Sequence, residues 1–134
     1  MRIGDLAART GLTTKTIRFY EDSGLLPAPP RTPGGYRDYP DHTVTRLGFV
    51  RDAQRAGLTL AEIRSILALR DDGHAPCHHV TGLINEHLDD IEQRMAELAA
   101  TRNELRALAD RAATTDPAAC TADDICTILN PARP

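Results

Sequence analysis

Three cysteines, Cys77, Cys120 and Cys126, are the residues of this chain best suited to do chemistry. Thiolates are soft donors for soft and borderline metal ions, and they are also the side chains that oxidants and electrophiles attack. Cys120 and Cys126 form a C-x5-C pair, a spacing that lets two thiolates converge on one ion. Cys77 lies far upstream, next to His78 and His79, with His74 just before it. A histidine there is either a further ligand for an ion such as zinc or the polar start of a helix. An odd cysteine count argues against a disulfide framework and leaves metal binding, redox sensing or burial as small hydrophobes.

What decides between these readings is the element separating the cysteines. From about His79 to Thr115 there is no proline, and Gly82 is the one glycine. Apolar residues recur at Ile84, Leu88, Ile91, Met95, Leu98, Leu105 and Ala109, in alternating steps of four and three with a polar step at Arg102. That is a heptad seam. At about 1.5 Å per residue such a helix is roughly 50 Å long, too long for so small a protein to cover by itself. The stripe calls for a second chain, and an antiparallel pair of identical chains is the simple symmetric arrangement. The start of one helix then lies beside the end of its partner, so that Cys77 of one protomer meets Cys120 and Cys126 of the other in a three-thiolate site. The closing segment is expected to be a loop through Cys120 and a short helix reaching Leu129, capped by Thr121. His87, near the seam, reads as a packing residue.

The first half of the chain has a different character. Residues 1–56 hold nine Lys and Arg against six Asp and Glu, whereas the remainder holds seven against thirteen, so the net charge of −3 conceals a basic half suited to a polyanion. Ile3, Leu6 and Ala7 recur at helical spacing, Gly11-Leu12 supplies a turn, and Thr13 or Thr14 opens a second helix. Ile17 faces inward with Leu6 and Leu12, leaving Lys15, Thr16, Arg18 and Tyr20 outward, as on a recognition helix. Pro27 to Pro40 cannot be helical throughout. Its Gly34-Gly35 is a hairpin-turn signal, and Arg31, Tyr36 and Arg37 around it would make a small β-wing able to lie on a phosphate backbone. Lys15, Arg18, Arg31 and Arg37 are candidate phosphate contacts, with hydroxyl donation from Tyr20 and Tyr36. The plainer alternative is an ordinary charged surface. Two further helices are expected, Asp41 to Ala56, with His42 helping to open it, and Leu60 to Leu69, with Gly57 and Thr59 punctuating the junction.

The expected organisation is therefore all-α with a small β-wing: a winged helix-turn-helix over residues 1–73, a dimerisation helix over 74–115, and a metal-binding loop with a short helix over 116–134. A composition of 41 % hydrophobic, 26 % charged and 4 % aromatic residues suits a soluble, helix-rich chain. At 134 residues there is little core for the large pocket of most enzymes, and no nucleophile–base pair or phosphate loop appears. No apolar run approaches the roughly 20 residues of a membrane span, and the N-terminus does not read as a signal peptide, so a cytoplasmic location is expected.

Thr16-Ile17-Arg18-Phe19-Tyr20-Glu21, Gly24-Leu25-Leu26 and Gly35-Tyr36-Arg37-Asp38-Tyr39 closely resemble the MerR family of transcription regulators, and the resemblance runs nearly end to end. It implies a winged helix-turn-helix, an antiparallel coiled-coil homodimer and a C-terminal effector loop. By position it implies Lys15, Arg18, Tyr20, Arg31, Tyr36 and Arg37 as contacts to double-stranded promoter DNA. The short C-terminal segment resembles the metal-sensing branch; drug sensors carry an extra domain, and the iron-sulfur branch has four cysteines in its terminal loop. Sensors of divalent ions resemble this chain in having Cys at the position of Cys77, whereas copper(I) sensors have Ser. Three thiolates resemble the mercury(II) site, with cadmium, lead(II) or zinc as alternatives. The C-x5-C spacing, shorter than the typical mercury-sensor loop, and His78-His79 depart from that pattern. The resemblance further implies repression without metal, and activation by distortion of promoter DNA for RNA polymerase when metal binds. A thiol redox or electrophile sensor on the same scaffold is the alternative.

Overall fold

The computed structural model describes residues 1–120 and 125–130. Among these the chain is helical: α1 (Ile3–Thr10), α2 (Thr14–Asp22), α3 (His42–Arg55), α4 (Leu60–Asp71), α5 (Cys77–Thr114) and a 3-10 turn over Pro117–Ala119. Two compact units divide it, Met1–His87 and Leu88–Pro134.

In the first unit, α1 stops at Gly11, whose φ of 73° is the left-handed conformation that glycine adopts without a Cβ penalty and whose N–H donates to the Ala7 carbonyl. Two residues later Thr13 caps α2, its hydroxyl accepting the Thr16 N–H at 3.1 Å. A left-handed stop followed at once by a cap makes the tight turn between two short helices. Leu6, Ile17, Leu25, Val50 and Ile63 are wholly buried, so one core draws on α1, α2, the segment after α2, α3 and α4.

The α3–α4 junction closes with a capping box. Thr59 Oγ1 accepts the Glu62 N–H at 3.2 Å, and Glu62 Oε1 accepts the Thr59 N–H at 2.8 Å. Arg46 of α3 reaches across to the end of α4, pairing with both oxygens of Asp71 at 2.7 and 3.0 Å while its Nε donates to the Leu25 carbonyl. That bidentate geometry holds the Asp71 carboxyl below the usual carboxylate range, the Arg46 hydrogen bonds being the largest cause.

The first turns of α5 fall within this unit. Leu83 is buried in the core and Val80 packs against it. Farther along, Ile84, Leu88, Ile91, Met95, Leu98 and Leu105 are 46–69 % exposed, an apolar stripe on a 38-residue helix. No helix among the described residues is long and apolar enough to cross a membrane.

Candidate functional site

The basic face is built on α2 and on the segment before α3. Lys15 and Arg18 are exposed on α2, and neither has an ion-pair partner among the described residues. Tyr20 corrects the sequence reading: it is buried, its hydroxyl donating to Gln54 Oε1 on α3 at 2.6 Å. The physical reason is helical spacing. Tyr20 is three residues after Ile17 and shares its inward face, a signal that was legible. Phe19 takes the outward place, about half exposed, its ring tilted against that of Tyr20 at 5.9 Å between centroids.

The wing is smaller than a two-stranded hairpin. A single antiparallel bridge joins Arg31 and Arg37, and no strand forms among the described residues. Its turn is fastened by Gly35 N–H to the Thr32 carbonyl at 2.8 Å and Thr32 N–H to the Tyr36 carbonyl at 2.7 Å. Gly35, at a φ of 84°, supplies the left-handed turn residue. Arg31 donates to the Gly35 carbonyl at 2.8 Å, and Tyr36 stands exposed with the Arg2 guanidinium 4.6 Å from its ring centroid. Arg2 was not singled out from sequence, since a residue 34 positions away gives no local signal of the stacking.

Glu21, at the end of α2, clasps the wing. One carboxylate oxygen meets Arg37 Nε at 3.2 Å and the other accepts the Tyr39 hydroxyl at 2.9 Å. Burial, followed by the hydrogen bond to Glu21, pushes the Tyr39 phenol up to about 12. Arg37 is thus partly engaged within the fold, whereas Lys15 and Arg18 are open to a phosphate.

The thiols occupy three settings. Cys77 is exposed at the first position of α5, and its carbonyl accepts the Thr81 hydroxyl at 2.9 Å. Cys120 follows the 3-10 turn, its Sγ 3.3 Å from Thr127 Oγ1. Cys126 is half-buried, and its carbonyl accepts the Asn130 N–H at 2.9 Å. Residues 127–129 form a turn instead of the expected helix, held to the end of α5 by Arg111 donating to the Ile128 carbonyl at 2.8 Å. The expected cap residue, Thr121, lies outside the described residues. Three thiols suit a soft ion chemically, yet among the described residues no three His, Cys, Asp or Glu side chains of one chain converge to hold a metal.

The histidines are placed unequally. His78 is exposed. His79 Nε2 lies 2.8 Å from Ser65 Oγ, whose single proton already goes to the Glu62 carbonyl at 2.6 Å, so Nε2 is the donor and Nδ1 the nitrogen left for a ligand. His87 was expected to pack near the seam; instead its Nε2 meets both Glu62 oxygens at 2.8 and 3.1 Å.

A short helix pair with a basic outward helix and an arginine-tyrosine wing defines a helix-turn-helix DNA-binding regulator, not an enzyme. The chain belongs to the MerR family: the model described as MerR HTH family regulatory protein matches residues 1–69, and the one described as MerR, DNA binding matches residues 44–108. It is 38 % identical over 110 residues to the HTH-type transcriptional regulator ZntR of Escherichia coli, covering 81 % of this chain and 78 % of that one. A mercuric resistance operon regulatory protein of Bacillus cereus is also 38 % identical over 110 residues, covering 82 % of this chain and 83 % of that protein. Among solved structures, a transcription regulator of Ralstonia metallidurans in complex with lead(II) aligns with a TM-score of 0.72 and 38 % identity, covering 97 % of both chains.

Proposed function

We propose that the chain is a homodimeric, metal-responsive regulator of promoter DNA, in which Cys77 of one protomer and Cys120 and Cys126 of its partner hold one soft divalent ion. The observation that carries this is the pairing of an exposed apolar stripe along α5 with three thiols that no single chain gathers among its described residues. A stripe of that length is covered by a second copy, and an antiparallel copy brings the start of one helix to the end of the other. The relatives support the metal: one is named for mercuric resistance and one was solved with lead(II).

Mercury(II) is the favoured effector, ahead of cadmium, lead(II) and zinc, because three thiolates without a required histidine suit the softest ion best. His78 and His79 are the candidates for an additional ligand; for His79 this would use Nδ1. An ion held this way supplies a cross-link between protomers, and it acts as a switch by favouring one of two dimer geometries. The two DNA-binding heads then change their mutual orientation, and repression turns to activation when distortion of the promoter realigns it for RNA polymerase. The family setting and the absence of any helix able to span a membrane among the described residues accord with a cytoplasmic protein.

The test is a titration of the reduced protein with mercury, cadmium, lead and zinc, followed by thiolate-to-metal absorption, on wild type and Cys77→Ser. Saturation with three thiolates per ion, lost in Cys77→Ser, is expected. Tight binding unaffected by Cys77→Ser would sink the cross-dimer site. A DNA response that follows thiol oxidation without any metal would put a redox or electrophile sensor in its place.

A further inference from the structure

The opening turns of α5 are tied to the first unit at three places. Leu83 enters the core with Val80 packed against it, His79 bonds Ser65 of α4, and His87 reaches Glu62 of α4. The last of these differs in kind, because Glu62 is already in use. The same Oε1 that lies 2.8 Å from His87 Nε2 accepts the Thr59 N–H at 2.8 Å, closing the cap of α4. Glu62 accepts one donor from the N-cap of its own helix and another from α5, and its carboxyl is held below the usual range by Thr59 first and His87 second. An ionised carboxylate only accepts, so the proton in the contact is on His87 Nε2.

A capping box normally requires a glutamate to curl back unaided, at the cost of its own rotamer freedom. Here an imidazole from α5 grips both carboxylate oxygens and fixes the rotamer from outside. The capped end directly follows Gly57 and the buried Leu58, the turn that joins α3 to α4 within the DNA-binding unit. A hydrogen bond of this length is lost once the atoms separate beyond about 3.5 Å, so a shift of α5 of less than about 1 Å is enough to release it.

We propose that His87 and Glu62 are positioning residues that couple α5 to the DNA-binding head: with α5 seated the α4 cap is closed, and displacement of α5 withdraws His87 and loosens the Thr59–Glu62 box. The inference rests on the preceding reading that the effector acts by moving α5. A merely static packing bond would stabilise the fold without reporting on α5.

The experiment follows amide hydrogen exchange at Thr59 by NMR in the full chain, together with thiolate absorption on adding mercury(II), in wild type, His87→Ala, His87→Gln and Glu62→Gln. Without metal, Thr59 is expected to exchange about fivefold faster in His87→Ala. Protection should return in His87→Gln, whose side-chain N–H can donate from near the position of Nε2. Mercury(II) should change Thr59 exchange in wild type but not in His87→Ala, while the thiolate absorption of the two titrates alike. Unchanged Thr59 protection in metal-free His87→Ala overturns the coupling. So does a wild type whose thiolates saturate with no change at Thr59, and in that case the metal site stands. If mercury(II) leaves the thiolates unbound, the metal reading fails by itself, and the metal-free comparison still decides whether α5 braces the cap.

Discussion

Tyr20 of the recognition helix and Gln54 of α3 are joined by a hydrogen bond of 2.6 Å, which fastens the helix from its inner side. Tyr20→Phe leaves the ring in place and removes that bond, so a loss of about 1 kcal/mol is expected, read as a lower urea midpoint with an unchanged slope. Because the hydroxyl is engaged inside the fold, the salt dependence of duplex binding should stay as in wild type. A reduced salt slope in Tyr20→Phe would return this residue to the interface.

Arg18 makes the complementary case. Its side chain is exposed and has no ion-pair partner among the described residues. Arg18→Ala should lower the slope of log affinity against log salt by about 1 on a random-sequence duplex, and Lys15→Ala should do the same. Melting temperatures should hardly move in either variant. An unaltered slope in both would remove α2 from the phosphate-contacting surface.

Asp71 provides an acid-side prediction. Its carboxyl is held low by Arg46, below the value of about 3.9 it has in the unfolded chain. The folded state therefore binds this proton less readily, and the pair contributes stability above about pH 4 that fades as pH falls through the folded value. Asp71→Asn should lower the melting temperature at pH 6 and flatten its decline between pH 5 and pH 2. A variant whose acid limb is as steep as that of wild type would contradict the assignment.

Tyr39 works in the opposite direction. Its phenol is raised to about 12 from an ordinary 10, so the fold favours the neutral form. The resulting stability is complete below pH 10 and is lost as pH climbs toward 12. Ultraviolet titration of the tyrosinate band should show a late-ionising step, and Tyr39→Phe should abolish that step.

The stripe along α5 predicts self-association. Leu98 is 69 % exposed in the single chain, and the proposed antiparallel pairing of two α5 helices would cover it. Leu98→Glu should shift sedimentation toward the mass of one chain while circular dichroism of the N-terminal unit is retained. A variant that sediments like wild type would leave the stripe without its assigned partner.

Much of this was legible because local rules suffice for it. Gly11 before Thr13, and Gly57 before Thr59, mark stops and starts that the backbone obeys, and the alternation of four and three from Ile84 onward identifies α5 without any tertiary information. Tyr20 was misplaced by weighting its polar tip over its three-residue offset from Ile17. The ties from His79 to Ser65 and from His87 to Glu62 span 14 and 25 residues, and nothing local in the sequence pairs them. The wing was readable as a turn at Gly35, but its reduction to one bridge depends on how little chain separates Arg31 from Arg37. Cysteine spacing suggested a site whose three thiols no single chain gathers among the described residues, and the proposed dimer would draw them from two.

Glu21 has a consequence for how specificity is exchanged among such proteins. By holding Arg37 with one oxygen and Tyr39 with the other, it makes recognition helix and wing a single stamp, not two tools aimed separately. A new α2 grafted for a different half-site brings its own residue at position 21 and so resets the angle at which the wing meets the backbone. Transplanted specificity is therefore expected to travel as a cassette from about Thr13 to Tyr39, and a shorter graft would pair the helix of one protein with a wing set for another.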